Sequence, residues 1–180
     1  MAISDISPNV DNYFVGAGIV KIKLPTDIAY VDAGNVSKFE YTTTATRLKH
    51  YSARTGIRRK DKDVVTQMDA TVAMTMDEFN ARNLAFALLG SDPGGAAPII
   101  INLGDTPDII AAVRLVGTND IGAKVQVDLP SVLIAPSGAI GLINAGTWGE
   151  IALVGEINAD ITTGLFGRLA WGITGEIAYP

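Results

Sequence analysis

Residues 63–76 alternate between apolar and polar side chains, and this pattern restricts the fold more than any other feature of the chain. One face is predicted to carry Met68, Ala70, Val72, Met74 and Met76, and the other Gln67, Asp69, Thr71 and Thr75. A period of two is typical of a β-strand with one buried face, because successive side chains point to opposite sides of a strand. The chain is therefore expected to build its core from β-strands.

Several other segments carry a strand signal. Residues 18–24 and residues 123–129 alternate in the same way, and in the second segment Lys124, Gln126 and Asp128 are predicted on the polar face. Further strands are predicted around residues 36–43, 99–103, 109–116, 132–135, 147–157 and 168–177. In the last of these the apolar side chains share one face, which favours a core position for Trp171.

A single helix is predicted over residues 77–89. Its apolar side chains Ala81, Leu84, Ala85 and Leu88 follow the spacing of a helix face. Asp77 as N-cap, or a capping box of Thr75 with Glu78, is expected at its start, and Gly90 is a suitable stop. The fold class is therefore mainly β, an antiparallel β-sandwich or barrel with one flanking α-helix.

Composition limits the function classes. The chain has 180 residues, which is the size of one domain, and it has no cysteine, so disulfides and thiolate zinc sites are excluded. Only 18% of the residues are charged, which favours a surface that is partly buried against other subunits. Because neither a signal peptide nor a long apolar run is found, no membrane binding is predicted.

The basic side chains are concentrated in one segment. Residues 47–62 are predicted to form a long exposed loop or hairpin with seven of the fourteen basic side chains, Arg47, Lys49, Arg54, Arg58, Arg59, Lys60 and Lys62. Residues 47–63 contain seven basic and two acidic side chains, a net charge of +5, whereas residues 64–180 contain four basic and twelve acidic ones, a net charge of −8. The segment has three interpretations: a solvated loop, a nucleic-acid contact, or a contact with the acidic body of a neighbouring copy.

Catalytic chemistry has little support in the residue inventory. The one histidine, His50, lies in the basic segment without an evident partner. No catalytic, cofactor-binding or metal-ligating set is predicted, and an enzyme is not expected. An alternative is a small β-sandwich module that binds a ligand or carbohydrate, for which Trp148 and Trp171 are the candidate stacking residues.

The first half of the chain resembles the major tail tube proteins of long-tailed (siphovirus-type) bacteriophages. The resemblance lies in residues 13–20 (YFVGAGIV), in residues 32–36 (DAGNV), and above all in residues 48–58 (LKHYSARTGIR) and 78–85 (EFNARNLA). It covers residues 13–90 well. It implies one tail tube domain over residues 1–180, with an N-terminal arm over residues 1–17 and a segment at 47–62 that reaches the adjacent ring.

The resemblance also implies a structural role. Subunits of that family form hexameric rings, which stack into a hollow tube around a tape-measure protein and later conduct the genome. Tail initiator and terminator proteins are further implied partners, with assembly in the host bacterial cytoplasm and a final place in the virion tail. An acidic lumen would let DNA slide without sticking, and Asp69 and Asp128 are its first candidates because they lie on predicted polar strand faces.

Overall fold

The computed structural model describes residues 13–54, 56–91, 94–95, 97–143 and 145–178. These residues form eight strands and one helix. The strands are β1 (Gly18–Lys23), β2 (Val31–Asp32), β3 (Val36–Ser52), β4 (Arg59–Met76), β5 (Ile109–Gly117), β6 (Val125–Pro136), β7 (Ile151–Ile157) and β8 (Arg168–Trp171), and the helix is α1 (Ala81–Leu88), which lies between β4 and β5.

All the strands belong to one antiparallel sheet with the order β2-β1-β5-β6-β7-β4-β3. Strand β6 is long enough to have two partners on the same side. Its first half pairs with β8, and its second half pairs with β7. The predicted fold class, mainly β with one flanking helix, is confirmed.

The sheet curls so that its two ends approach each other. Val36 and Phe39 of β3 line the same cavity as Val20 of β1, although these strands are far apart in the strand order. Tyr41 of β3 likewise shares a cavity with Val127 of β6. The curled sheet is therefore barrel-like.

The core lies inside this curl. It is built from the alternate, inward-facing side chains of five strands together with the buried face of α1. Its members include Val20, Ile22, Val72, Met74, Met76, Phe86, Val113, Leu129, Val132, Ile134, Ile151 and Leu153. The predicted apolar face of residues 63–76 is confirmed from Ala70 onwards, where burial alternates strictly along the strand.

The helix is shorter than predicted. It starts at Ala81, and its N-cap is Asn80, whose side-chain oxygen accepts a hydrogen bond from the backbone N–H of Asn83. The prediction of Asp77 as the cap is wrong, because the Asp77 carboxylate accepts hydrogen bonds from the side-chain amide of Asn35. The helix ends at Leu89, which adopts a left-handed conformation, and the N–H of Gly90 then donates to the carbonyl of Ala85.

Three strand predictions need correction, and one of them is the strand over residues 168–177, which is observed only as β8 (Arg168–Trp171). Residues 99–103 are not a strand in this structure. The segments around 123–129 and 132–135 are one continuous strand, β6, which passes through Pro130. Residues 1–12 of the predicted N-terminal arm lie outside the described residues, and residues 13–17 have no regular structure but bond through Val15 and Ala17 to the β5–β6 connection.

Candidate functional site

The basic segment forms the outer part of a hairpin. Strands β3 and β4 pair with each other from residue 36 to residue 76, but β4 pairs with β7 only over Thr71–Met76. Residues 43–70 are therefore a two-stranded ribbon, here called the arm. At about 3.3 Å per residue, the ten residues of β3 in the arm span roughly 30 Å. Of the two predicted forms, a long exposed loop or a hairpin, the structure has the hairpin, and its tip connects Ser52 to Arg59.

The arm is exposed on both faces. Of its described side chains, only Ala70 is buried, and only Ser52 and Asp63 are half-buried. Met68, which the alternation assigned to the core face, is 54% exposed, because β7 pairs with β4 only from Thr71 onwards. An isolated two-stranded hairpin is marginally stable in water, so an exposed ribbon of this length is expected to pack on a partner.

The register of the arm separates its two faces. One face carries Arg47, Lys49, Asp63 and Val65, and the other carries Leu48, His50, Lys62 and Val64. Register shifts follow Thr46 and His50, so β4 has an extra residue at each of these positions. Such bulges increase the twist of a ribbon. The apolar and basic side chains are thus mixed on both faces.

Part of the basic charge is balanced within the arm. Arg47 Nε and Lys60 Nζ each lie 3.2 Å from the carboxylate of Asp63. Hydrogen bonds from Lys60 and Arg47 lower the pKa of Asp63 below its ordinary value of 3.8. His50 Nδ1 lies 2.5 Å from Asp61 Oδ1. The contacts of Arg47 and His50 cross from β3 to β4, whereas Lys60 and Asp63 both lie in β4.

The remaining cations have no acidic partner among the described residues. They are Lys49, Arg54, Arg58, Arg59 and Lys62, and Ile57, between Arg54 and Arg58 in the sequence, is an exposed apolar side chain at the tip. Exposed pairs of opposite charge contribute little to stability, but a concentrated unpaired charge attracts an oppositely charged surface. The tip is therefore the strongest candidate for a contact with an acidic partner.

Asp69 lies at the root of the arm. It is exposed, and it lines an open groove with Glu156 of β7, Gln67 and Asn158. The side-chain amide of Gln67 donates to both oxygens of Asp69, at 3.1 and 2.9 Å. This position leaves Asp69 available to a partner or to a lumen.

Asp128 is not available in the same way. It is 1% exposed, and the prediction of an exposed carboxylate on the polar face of β6 is wrong. Its oxygens accept hydrogen bonds from Arg114 Nε at 2.5 Å, Gln126 Nε2 at 2.8 Å and Arg168 Nε at 3.2 Å. The polar face of β6 is covered by the C-terminal segment, so alternation alone could not show that it is buried.

The ion pairs around Asp128 form a row across four strands. The register places Lys21 of β1 opposite Arg114 of β5, Arg114 opposite Asp128 of β6, and Asp128 opposite Arg168 of β8. Glu176 bridges the first two, at 2.5 Å from Lys21 Nζ and 2.8 Å from Arg114 Nη1. Lys21, Arg114, Asp128 and Arg168 are called the charged row, and Glu176 contacts it from the C-terminal segment.

Arg114 is the centre of the charged row. Its guanidinium lies 4.3 Å from the centroid of the Tyr30 ring, a favourable arrangement of a cation over an aromatic face. Burial alone would lower the pKa of Arg114, but the hydrogen bonds to Glu176 and Asp128 raise it. Arg114 was not among the predicted site residues, although a lone arginine within the apolar run of residues 109–117 is the signal that could have identified it.

We expect the free energy of unfolding to fall as the pH drops below 4.5, the ordinary pKa of Glu176. Hydrogen bonds from Lys21 and Arg114 lower the pKa of Glu176, and a hydrogen bond from Arg82 lowers that of Asp27. A lowered pKa stabilises the fold fully above the ordinary value, and the contribution is lost as the pH falls through the folded-state pKa. Urea midpoints from neutral pH to about pH 3 test this.

A matched pair of variants distinguishes the contribution of Glu176 to this pH dependence from the contributions of the other carboxylates. Glu176→Gln should remove the upper part of this pH dependence, whereas Glu150→Gln, at an exposed loop position, should leave it unchanged. A midpoint that stays constant down to acid pH in the parent chain would contradict the expectation.

Other candidate sites are weaker. No group of three or more His, Asp or Glu side chains within the described residues is placed to hold a metal ion. No helix in the described part of the chain has the length and hydropathy of a membrane span. The prediction that Trp171 is in the core is wrong, since it is 65% exposed and its ring lies 6.4 Å from that of Phe14; Trp148 is 93% exposed.

Comparison with known proteins gives distant similarities. A protein family described as "Protein of unknown function UCP028589" matches residues 13–98, slightly less than half of the chain. No curated protein sequence matches the chain. A chain of the virion of a native gene transfer agent (GTA) particle is similar in structure, with 12% identity and a TM-score of 0.44 over 84% of this chain and 94% of that chain.

A chain of the tail of an empty GTA particle with C6 symmetry is also similar, with 12% identity and a TM-score of 0.42 over 86% of this chain and 94% of that chain. At this identity and TM-score, no function passes from these structures to the present chain.

Proposed function

We propose that this chain is a structural subunit of a phage tail tube and not an enzyme. Copies form rings, six to a ring, which stack into a hollow tube around a tape-measure protein, and the tube later conducts DNA. The number six, the tape-measure protein and the initiator and terminator proteins follow from the resemblance of residues 13–90 to tail tube proteins. The proposed location is the virion tail, after assembly in the host cytoplasm.

The arm is the observation that carries this proposal. It is a ribbon of roughly 30 Å with no packing partner on either face within the described chain. Only 18% of the residues are charged, and the arm exposes the apolar side chains of Leu48, Ile57 and Met68. Removal of these side chains from water is favourable, so they are expected to pack on a partner. A second copy is the partner that is always present at sufficient concentration.

Charge complementarity supports a head-to-tail contact. Residues 47–63 of the arm have a net charge of +5 and residues 64–180 have a net charge of −8, so the two surfaces of different copies attract each other. A contact between different patches of identical subunits closes into a ring or continues as a filament. We propose that the arm contacts the acidic body of a copy in the adjacent ring.

Asp69 remains the proposed lumen acid. It is exposed at the root of the arm, next to Glu156. A lumen with carboxylates repels DNA phosphates, so that DNA passes without binding. Asp128 is not part of this proposal, because its carboxylate is buried and paired.

Replacing Arg54, Arg58 and Arg59 together by glutamate is expected to prevent assembly. The change turns the basic tip into an acidic one, which an acidic body repels. Negative-stain electron microscopy and sedimentation of the purified protein, over a range of concentrations and salt, are the measurements. The parent chain should form rings or tubes, and high salt should weaken them.

The control variant makes the same change in net charge on the body, which is the part of the chain outside the arm. Lys23, Lys38 and Lys124 are replaced together by glutamate, and assembly should persist. Monomers of the parent chain at every concentration would contradict the tube proposal. Tubes that the arm variant forms as readily as the parent would contradict the role of the arm.

A ligand-binding module is the second candidate. The exposed rings of Trp148 and Trp171 are the observation that favours it, because exposed aromatic faces stack on sugars. Binding on a glycan array that is lost in a Trp148→Ala variant, in a protein that does not assemble, would support this candidate against the tube.

A further inference from the structure

The C-terminal segment, residues 173–178, lies over the charged row. It belongs to no strand, and all its residues except Ile173 are exposed. The backbone N–H of Ile173 donates to the carbonyl of Lys124. Beyond this point the segment crosses the polar face of β1, β5 and β6.

Three successive residues of the segment are held by polar side chains of the body. The carboxylate of Glu176 accepts hydrogen bonds from Lys21 and Arg114. The side-chain amide of Gln126 bonds the backbone of Ile177 in both directions: its Nε2 donates to the carbonyl at 2.7 Å, and its Oε1 accepts from the N–H at 2.9 Å. Arg168 donates to the carbonyl of Ala178.

This set of contacts is the kind that recognises an extended peptide. The Gln126 amide reproduces the pair of hydrogen bonds that a neighbouring strand would make. Lys21 and Arg114 select a carboxylate at one side-chain position. Hydrogen bonds, including the charged ones to Glu176, hold the segment more than apolar burial does, since all its residues except Ile173 are exposed.

The buried carboxylate of the charged row keeps its partners when the segment is absent. Asp128 has Arg114, Gln126 and Arg168 as partners, and none of these three contacts involves residues 173–178. Without Glu176 the row has three cations and one carboxylate. Opening therefore exposes a preformed cationic groove and leaves no buried carboxylate unpaired.

We propose that the charged row and Gln126 form a recognition site for an extended peptide that carries a carboxylate, and that residues 173–178 occupy it as a releasable strap. The strap opens as one unit when the charge of Glu176 is removed. The open site takes an acidic extended segment in its place.

Hydrogen exchange of the full-length chain tests the strap. Glu176→Gln keeps the shape of the side chain and removes its charge, and exchange of the Ile177 amide should become about tenfold faster, as expected for the loss of a charged hydrogen bond. The amides of Leu115 and Val127, which pair in the sheet, should be unchanged. Glu156→Gln is the control and should affect none of these amides.

Unchanged protection of Ile177 in the Glu176→Gln chain would overturn the strap. Faster exchange of Leu115 and Val127 in parallel with Ile177 would also overturn it, because the segment would then unfold only with the whole sheet.

A peptide titration tests the recognition site. A synthetic peptide with the sequence of residues 172–178 is added to the full-length Glu176→Gln chain, and the NMR signals of the Gln126 side-chain amide and the Arg114 Nε–H are followed. Saturable shifts are expected, and a peptide with glutamine at the position of Glu176 should give none. Absence of shifts with the parent peptide, or equal shifts with both peptides, would overturn the recognition site.

Discussion

Asp128→Asn is expected to lower the free energy of unfolding by about 3 kcal/mol, as is typical when one partner of a buried ion pair is removed. The substitution preserves the shape of the side chain but removes the charge that Arg114 and Arg168 both contact. Arg114 is itself buried, so water cannot replace the lost carboxylate, and Glu176 is left as its single acidic contact among the described residues.

Asp69→Asn is the matched control for this prediction. Asp128 and Asp69 were both predicted to lie on polar strand faces. Asp69, however, is exposed and has no ion pair among the described residues. Its replacement should change the free energy of unfolding by less than about 0.5 kcal/mol. Urea unfolding of the monomer measures both variants, and equal small effects would show that the charged row contributes little to stability.

Phe86→Ala is expected to lower the free energy of unfolding by about 3–5 kcal/mol, the usual cost of truncating a buried aromatic side chain. Phe86 is the largest fully buried side chain, and it joins α1 to the core inside the curled sheet. The guanidinium of Arg82 lies 5.6 Å from the centroid of its ring, so the truncation also removes a cation–aromatic contact.

Phe79→Ala serves as its control. Phe79 precedes the helix and is 38% exposed, so its truncation removes less buried area and should cost distinctly less stability. The same urea measurement compares the two variants. If Phe79→Ala were as destabilising as Phe86→Ala, the core would have to extend to the start of the helix.

The core of the fold was predictable from the sequence because it depends on local alternation. Val20 and Ile22 in β1, and Val72, Met74 and Met76 in β4, are buried as their period of two predicts. The helix was predictable for the same reason, from the stripe that contains Ala85. Its first residue was not, because Asp77 and Asn80 are both good caps and a tertiary contact between Asp77 and Asn35 decides between them.

The arm was predictable only in part. Its basic charge is visible in the sequence, but its length as a ribbon depends on where β7 stops pairing with β4. Met68 illustrates the difference: it continues the alternation of the core strand, yet it is exposed because the partner strand ends before it. Alternation shows which side chains share a face and not whether that face is covered.

The sequence by itself determined that the chain is a mainly β protein with one helix and a strongly basic segment, since strand periodicity, helix periodicity and charge are local properties. Only the tertiary structure decided which polar side chains are exposed. Asp128 and Gln126 are buried because residues 173–178, far away in the sequence, return over the polar face of β6. Asp69 stays exposed because nothing in the described chain returns over the arm.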